Sequence, residues 1–246
     1  MTDEKMKLET GNSKPDAASL VQLPVSLSPQ QLDFLEKVTG PARAGEQAEG
    51  IPACITIAQA IFEAAGPAYV CSHCGNRQAS GVTCNRCGSP VARDGSSIWG
   101  GSSLFRLANN PFGIKYSQLA KREGYAHFDA MTWEMQNGQR ESIPAEFVRF
   151  PSLASAFQGH AMLLRSPAYA PAYSVRDFPT EFAERLGPKT SQTDHEHCGY
   201  STNPSYSAEL IKAVNVYRLN DPRALEWYAT GKDPEGSRQQ AMGTRQ

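Results

Sequence analysis

Apolar residues are concentrated in one stretch, residues 51–66, and their spacing predicts a central buried helix. Two sets recur at helical intervals, so apolar side chains surround this helix on most sides. The sets are Ile55, Ala58 and Phe62, and Ile57 and Ile61. Pro52 suits the first turn of a helix and Gly66 can end it.

The polar side chains of this helix form one narrow stripe, Thr56, Gln59 and Glu63, with a single charge at its C-terminal end. Exposed helix faces usually carry several charged residues, and an unpaired buried carboxylate is costly. A stripe facing bulk water is the simpler interpretation, but the pattern favours a stripe that faces a cleft or a partner.

Upstream, the pattern predicts a helix with Ser28 as N-cap, Pro29 at its first position and Gln31 completing a capping box. Its apolar side is supplied by Leu32, Phe34 and Leu35. Residues 41–50 are small and polar and read as a loop into the central helix.

Residues 125–150 show the alternation of β-strands, with Asn137-Gly138 as a hairpin turn signal. Met131, Trp133 and Met135 alternate with Thr132, Glu134 and Gln136. Glu134 is therefore expected on the polar face of a β-hairpin.

Further helices are predicted over residues 152–164, over 181–186 and around Leu210, Val214 and Tyr217, with residues 166–178 as a Pro- and Tyr-rich connection. The core candidates of the first of these are Leu153, Phe157, Met162 and Leu163. His160 lies on the same helix and is expected to be structural rather than catalytic.

The chain has 246 residues and a formal charge of −1, which gives no electrostatic case for nucleic acid as a partner. No apolar run is long enough to span a bilayer. Residues 1–26 read as a disordered lead without a secretory signal, and residues 231–246 as a flexible tail.

Four of the six cysteines form two Cys-x-x-Cys-Gly knuckles, Cys71 with Cys74 and Cys84 with Cys87. Two such knuckles predict a tetrahedral Cys₄ zinc site, which would let a short Gly- and Ser-rich segment fold. A redox dithiol would explain one pair but not two. With four protein ligands the zinc is expected to be structural. A second metal site at His195, His197 and Cys198 would need further ligands and is not favoured.

Residues 58–63 read Ala-Gln-Ala-Ile-Phe-Glu, and residues 99–115 contain Trp-Gly-Gly-Ser-Ser-Leu and then Asn-Asn-Pro-Phe-Gly-Ile-Lys. These segments resemble the Ala-Gln-Ala-x-x-Glu-Ser, Trp-Gly-x-Ser-x-Leu and Asn-Asn-Leu-Phe-Gly-Ile-Lys segments of one family. That family is the peptidoglycan N-acetylglucosaminidases of glycoside hydrolase family 73, which include the flagellar-rod hydrolases. Thr132-Trp-Glu134 is similar to a Thr-x-Glu strand, and residues 199–206 to Gly-Tyr-Ala-Thr-Asp-Pro-x-Tyr. Ala64, Pro111 and Asn203 depart from the family's usual Ser, Leu and Asp.

The resemblance implies an α+β fold, mainly α, with a lysozyme-like helical lobe, a small β-hairpin lobe and an inserted zinc-knuckle module. The glucosaminidase-like domain would comprise residues 27–64 and 99–220, interrupted by the module at 65–98. Glu63 would be the catalytic acid and Glu134 the second carboxylate, with Tyr200 assisting. The substrate-binding candidates are Gln59, Trp99, Asn110, Phe112, Tyr116 and Tyr206, of which Phe112 and Tyr206 equally suit packing roles.

The implied reaction is hydrolysis of the β-1,4 bond after N-acetylglucosamine in peptidoglycan glycan strands, by an inverting, retaining or substrate-assisted route. A muramidase of similar fold, or a non-catalytic adaptor built around the zinc module, are the alternatives. Because no export signal is visible, we expect synthesis in the cytoplasm and delivery to the cell wall by a phage or secretion machine. A delivered toxin would also imply an immunity protein.

Overall fold

A computed structural model of the chain describes residues 26–136 and 139–231, and all of their side chains except those of residues 118–119, 133–136 and 139–140. The predicted lead, most of the predicted tail and the Asn137-Gly138 turn lie outside the described residues. The helices are α1 Pro29–Glu49, α2 Ala53–Glu63, α3 Ser103–Ala108, α4 Gln118–Arg122, α5 Leu153–Leu164, α6 Ala170–Tyr173, α7 Pro179–Arg185, α8 Tyr206–Val216 and α9 Pro222–Thr230. The strands are β1 Gly66–Cys71, β2 Arg77–Gln78, β3 Val91–Ile98, β4 Ala126–Gln136 and β5 Gln139–Arg149. In the part of the chain that is described, no helix is both long and apolar enough to cross a membrane.

Helix α1 begins as predicted but is longer than its sequence suggested. Ser28 caps it, and the reciprocal bond from the Gln31 side chain completes the capping box. The prediction of a loop over residues 41–50 is wrong, because α1 continues through Pro41 to Glu49. The helix is capped by Gly50, which adopts the left-handed conformation. Buried Ala42 and Gly45 extend the inner face of the helix, and their small size lets α5 pack closely against it.

Helix α2 is the buried centre of the helical body, as the pattern predicted. It packs against α1 and α8, and residues 53–61 are all buried. Pro52 is the N-cap rather than part of the first turn. Burial on every side explains why apolar residues recur at two helical spacings.

Strands β1, β2 and β3 form an antiparallel sheet in the order β2-β1-β3. The sheet lies within residues 65–98, the segment that the sequence predicts to be an inserted module and that is called the module below. Its two ends meet at the root, where Gly66 pairs with Ile98. The backbone there is so crowded that a Cβ on Gly66 would lie 2.1 Å from the carbonyl carbon of Gly101. The amide of Ser102 also donates to the carbonyl of Ala64 at 3.0 Å. The module is thus fixed directly beside the end of α2.

Strands β4 and β5 form the predicted hairpin, in a continuous antiparallel register from Ala126 opposite Arg149 to Gln136 opposite Gln139. Among its described side chains, those at the base join a core, where Val148 and Phe150 pack in a small cluster with Ala156. Met131 is 63% exposed, so this position of the expected apolar face is open to solvent. The hairpin therefore extends from the body rather than covering it.

The C-terminal helices complete the body and differ from expectation in three places. Met162 points to solvent and is 57% exposed, whereas Phe157 is fully buried. The expected connection over residues 166–178 contains a 3₁₀ turn, Pro167–Tyr169, followed by α6. Helix α9, which was not predicted, packs on α1 through Ala224, Leu225 and Tyr228.

Candidate active site

Glu63 is the last residue of α2, where the buried helix reaches the surface. Its side chain is open to solvent, and its Oε1 accepts a hydrogen bond from the Tyr206 hydroxyl at 3.3 Å. Removal of water from the carboxyl by the surrounding protein raises the pKa of Glu63, and the Tyr206 hydrogen bond partly opposes that rise. Glu63 therefore combines access with a bias towards the protonated form.

The other two members of the polar stripe are buried, so the expectation that the whole stripe faces a cleft is wrong. Thr56 donates back to the carbonyl of Pro52 inside its own helix. Gln59 is completely buried, and its Nε2 donates to the Tyr206 hydroxyl at 3.0 Å. Instead of contacting a substrate, Gln59 binds the tyrosine that binds Glu63.

Tyr200 and Tyr206 lie face to face beside Glu63, with ring centres 5.6 Å apart and an interplanar angle of 17°. Tyr206 opens α8 and is buried, whereas Tyr200 is partly buried in the loop before it. The Tyr200 hydroxyl lies 3.2 Å from Nε2 of His160. Burial, with the Tyr206 hydroxyl and the Glu63 charge nearby, raises the pKa of Tyr200 well above its usual value, so its phenol stays protonated.

Two of the predicted sugar contacts are instead part of the core. Phe112 is 6% exposed and stacks on the His160 ring at 3.7 Å. Asn110 is fully buried, and its Nδ2 donates to the carbonyls of Ile114 and Val148 at 2.9 Å each. Its Oδ1 accepts a hydrogen bond from the backbone amide of Ile114, also at 2.9 Å. This network fixes the loop before the hairpin.

The ring contacts of Trp99 and Tyr116 are with residues other than the tyrosine pair. Trp99 packs edge-on against Phe34 and Tyr217 and lines a groove of about 480 Å³ between α2, α8 and the root of the module. Tyr116 lies at the base of the hairpin, where its hydroxyl donates to the carbonyl of Tyr125. Both retain exposed surface, and their predicted sugar contacts stay predictions.

Glu134 lies in β4, directly opposite Glu141 of β5. This confirms that the residue is on a hairpin strand. Its side chain lies outside the described residues, so its role as the second carboxylate stays a prediction.

The four cysteines of the module come together as the spacing predicted, with their sulfurs all within 4.8 Å of one another. The two knuckles have the same geometry, because the glycine after each pair adopts a left-handed conformation and donates its amide to the carbonyl of the first cysteine. The Sγ atom of Cys74 lies 3.6 Å from the Sγ atom of Cys84 and 3.5 Å from that of Cys87. None of the four cysteines is in a disulfide. This is a possible metal site.

The loop carrying His195, His197 and Cys198 is organised by a carboxylate rather than assembled into a second cluster. Asp194 accepts bonds from the amides of Thr190, Glu196 and His197. These bonds hold the pKa of Asp194 well below its usual range. Within residues 26–136 and 139–231, the only other set of potential ligands close enough for a metal is the exposed group His127, Asp129 and Glu146.

Sequence reasoning did not connect His160 or Tyr169 with this site. His160 comes from α5 and contacts Tyr200, and the Tyr169 ring lies 5.9 Å from the Tyr200 ring. Neither had a local signal, because their partners are about 30 to 40 residues away in the chain. Only the packing of α5 and the 3₁₀ turn against this loop brings them together.

The glucosaminidase family model, described as mannosyl-glycoprotein endo-beta-N-acetylglucosaminidase, matches residues 96–219, which is half of the chain. The chain therefore belongs to the glucosaminidase family, a family of glycoside hydrolases. The matched stretch begins at the root of the module, so Glu63 lies outside it.

Among curated relatives, the exo-glucosaminidase LytG of Bacillus subtilis is 27% identical over 131 residues, covering 51% of this chain and 41% of the relative. The peptidoglycan hydrolase FlgJ of Salmonella typhimurium is 24% identical over 245 residues, covering 93% of this chain and 63% of the relative. The chain thus spans less than two thirds of the length of either relative.

Two solved structures share the fold. The catalytic domain of the autolysin Auto from Listeria monocytogenes matches with a TM-score of 0.53 at 20% identity, covering 79% of this chain and 88% of that one. An N-acetylmuramoyl-L-alanine amidase structure from Staphylococcus aureus matches with a TM-score of 0.52 at 21% identity, covering 91% and 54%. The predicted mixed architecture is thereby confirmed at the level of fold.

Proposed function

We propose that this protein is a peptidoglycan hydrolase that cleaves the β-1,4 glycosidic bond after N-acetylglucosamine. The observation that carries the proposal is Glu63, a solvent-accessible carboxyl whose pKa is raised by its surroundings at the end of a buried helix. Family membership and the similarity to FlgJ, named a peptidoglycan hydrolase, support it.

In this reaction Glu63 is the general acid. Cleavage requires protonation of the leaving oxygen, and a carboxyl with a raised pKa still holds its proton at a pH where ordinary carboxyls have lost theirs. The Tyr206 hydroxyl then stabilises the carboxylate that remains after proton transfer, because it donates to Oε1. The same contact suits Glu63 to act first as an acid and later as a base.

The second carboxylate in the proposal is Glu134 on β4. An ionised carboxylate across the cleft either activates water or stabilises the positive charge that develops at the anomeric carbon. The hairpin supplies a suitable carrier, because its two long strands extend from a base whose described side chains join the core.

We also propose that Cys71, Cys74, Cys84 and Cys87 bind one zinc ion with a structural role. A tetrahedron of thiolates at a zinc–sulfur distance of about 2.3 Å has sulfur–sulfur edges of about 3.8 Å. The sulfur separations of 3.5 and 3.6 Å in the cluster are close to that value. Four protein ligands leave no open coordination position for catalysis, so bound zinc would hold the two knuckles together.

The test is digestion of purified peptidoglycan by the unmodified protein and by Glu63→Gln, with mass spectrometry of the released reducing ends. We expect N-acetylglucosamine at the reducing end, and a loss of at least about a thousandfold in the variant, since it removes the acid. The matched control is Glu226→Gln, which alters an exposed carboxylate of α9 that is paired with Arg43 of α1.

Each other outcome identifies an alternative. N-Acetylmuramic acid at the reducing end would make the protein a muramidase. Turnover retained by Glu63→Gln would remove Glu63 from the mechanism, and tight wall binding without any release would indicate the adaptor built around the zinc module.

Glu134→Gln tests the second carboxylate, with Glu141→Gln as its control. The two residues are cross-strand partners in the same part of the hairpin, so both variants remove one charge from one place. We expect a large loss of turnover only for Glu134→Gln. Equal losses would point to the hairpin's charge rather than to a specific carboxylate.

A further inference from the structure

The two tyrosines beside Glu63 are each held by a buried polar side chain from a different helix. Gln59 of α2 donates its Nε2 proton to the Tyr206 hydroxyl at 3.0 Å. His160 of α5 places Nε2 3.2 Å from the Tyr200 hydroxyl. Both side chains have no solvent exposure, so neither can reach a ligand directly.

The opposite ends of the same two side chains have no protein partner. Within the described part of the chain, Gln59 Oε1 and His160 Nδ1 are the buried side-chain polar atoms without a hydrogen bond to protein. Native proteins rarely leave such atoms unpaired, and exceptions are often tied to function. Both exceptions belong to the residues that bind the tyrosine pair, so the fold makes these two contacts at the cost of two unpaired polar atoms.

The unpaired Nδ1 determines which way the bond between His160 and Tyr200 runs. Burial lowers the pKa of His160 to about 3, so the ring is neutral and carries one proton. If that proton were on Nδ1, a buried N–H would face no protein acceptor, which is rarer in proteins than a buried lone pair without a donor. The proton therefore belongs on Nε2, and the Nε2–H group donates a hydrogen bond to the Tyr200 oxygen.

The consequence is a direction for both hydroxyl protons. Each phenol oxygen accepts a hydrogen bond from its buried partner, so its own proton points away from that partner. For Tyr206 the recipient is Glu63 Oε1. For Tyr200 the described residues offer no second partner, which leaves its proton free for an acceptor that enters the site.

We propose that His160 is a positioning residue that fixes Tyr200 as a hydrogen-bond donor to the substrate, as Gln59 fixes Tyr206 as a donor to Glu63. This inference rests on the proposed hydrolase function. The acceptor would be an oxygen of the bound sugar, with the carbonyl of an N-acetyl group as the chemical class that suits a neutral phenol donor. His160 acts through Tyr200 and does not touch the substrate itself.

The first test measures the His160 tautomer and needs no turnover, so it is independent of whether the protein is a hydrolase. Long-range ¹H–¹⁵N correlation spectra of protein labelled at its five histidines would be recorded, with His160 assigned by its absence from His160→Gln. We expect the Nε2–H tautomer across neutral pH and a changed Nε2 shift in Tyr200→Phe. The Nδ1–H tautomer, or a protonated ring, would overturn the proposal.

The second test is a double-mutant cycle on soluble peptidoglycan fragments. We expect Tyr200→Phe to lower kcat by about a hundredfold and His160→Leu by about tenfold or more, with KM little changed. His160→Leu should add nothing on the Tyr200→Phe background, and His160→Gln, which keeps an N–H donor, should recover part of the loss.

Stability must be measured in parallel, because His160 lies in the core. Thr39→Val, which alters a buried polar residue outside the site, is the control for general destabilisation. Independent, multiplicative losses from His160→Leu and Tyr200→Phe would reduce His160 to a packing residue and contradict the proposal.

Discussion

The helical body and the module are held together by different forces, although they meet three residues after Glu63. The body has one large cluster of buried apolar side chains that joins α1, α2, α5, α7, α8 and α9. Neither hydrophobic cluster of the described residues includes any residue from 66–98. In the module, the buried side chains are mainly those of Ala68, Cys71, Gln78, Cys84 and Ile98.

The module replaces a core with specific polar contacts. Gln78 is buried, and its amide binds the carbonyls of Ser80 and Thr83 and the amide of Asn85 at 2.7 to 2.9 Å. Such contacts contribute only about 1 kcal/mol each, so a segment of this size needs an additional constraint. We therefore expect the body to tolerate loss of metal but not loss of packing, and the module to show the reverse.

Metal removal should affect the module far more than the helical body. A structural zinc site contributes about 10–16 kcal/mol of apparent binding free energy, so chelation or Cys84→Ser should unfold the module while leaving the helices intact. Because β1 begins so close to Glu63, turnover should fall as well. Hydrogen exchange measured by mass spectrometry, with metal analysis, would follow residues 66–98 and α5 separately.

The control for metal removal is Cys198→Ser, which alters a cysteine outside the cluster and should leave one zinc per chain. Protection of residues 66–98 that survives complete zinc loss would show that the module does not depend on metal.

Truncation of a core residue should have the opposite selectivity. Phe157 is fully buried against Phe112, and Phe157→Ala should cost about 3–5 kcal/mol of unfolding free energy through lost transfer energy and a cavity. Met162→Ala on the same helix should change stability by less than about 0.5 kcal/mol, because that side chain is exposed. Denaturant unfolding followed by circular dichroism measures both, and similar values for the two variants would contradict the packing described for α5.

The junction between the two regions should be sensitive to a single methyl group. Gly66→Ala places a Cβ 2.1 Å from the Gly101 backbone, so we expect a loss of about 2 kcal/mol or more as β1 shifts away from the root. Gly40→Ala in α1 meets open space and should stabilise the helix by up to about 1 kcal/mol. Thermal melts of the two variants that move in the same direction would argue against a tightly closed root.

The smallest expected effect is a shift in the pH profile. The general acid must be protonated, so activity should fall as pH rises through the raised pKa of Glu63. Tyr206→Phe removes the hydrogen bond that favours the ionised carboxylate, so the pKa should rise further and the alkaline limb should move to higher pH. A limb that moves to lower pH would contradict the direction assigned to this bond.

The control for the pH profile is Tyr116→Phe, which removes a phenolic hydroxyl group at the base of the hairpin. Its alkaline limb should stay where it is in the unmodified protein, whatever happens to its affinity for glycan.

The features that depend on local spacing could be predicted from the amino-acid sequence. Apolar residues on all sides of α2, the capping box of α1, the alternation in β4 and the two Cys-x-x-Cys-Gly knuckles were all readable, because each rests on contacts within a few residues. The family resemblance likewise rests on short motifs in order along the chain.

Tertiary structure decided which polar and aromatic residues are accessible. Gln59, Asn110 and Phe112 lie in motifs that suggest sugar contacts, yet they are buried because α8, the hairpin base and α5 cover them. The same packing joins His160 to Tyr200 across 40 residues and extends α1 through Pro41. Burial depends on which surface another element covers, and that information is distributed over the whole chain rather than written at any one position.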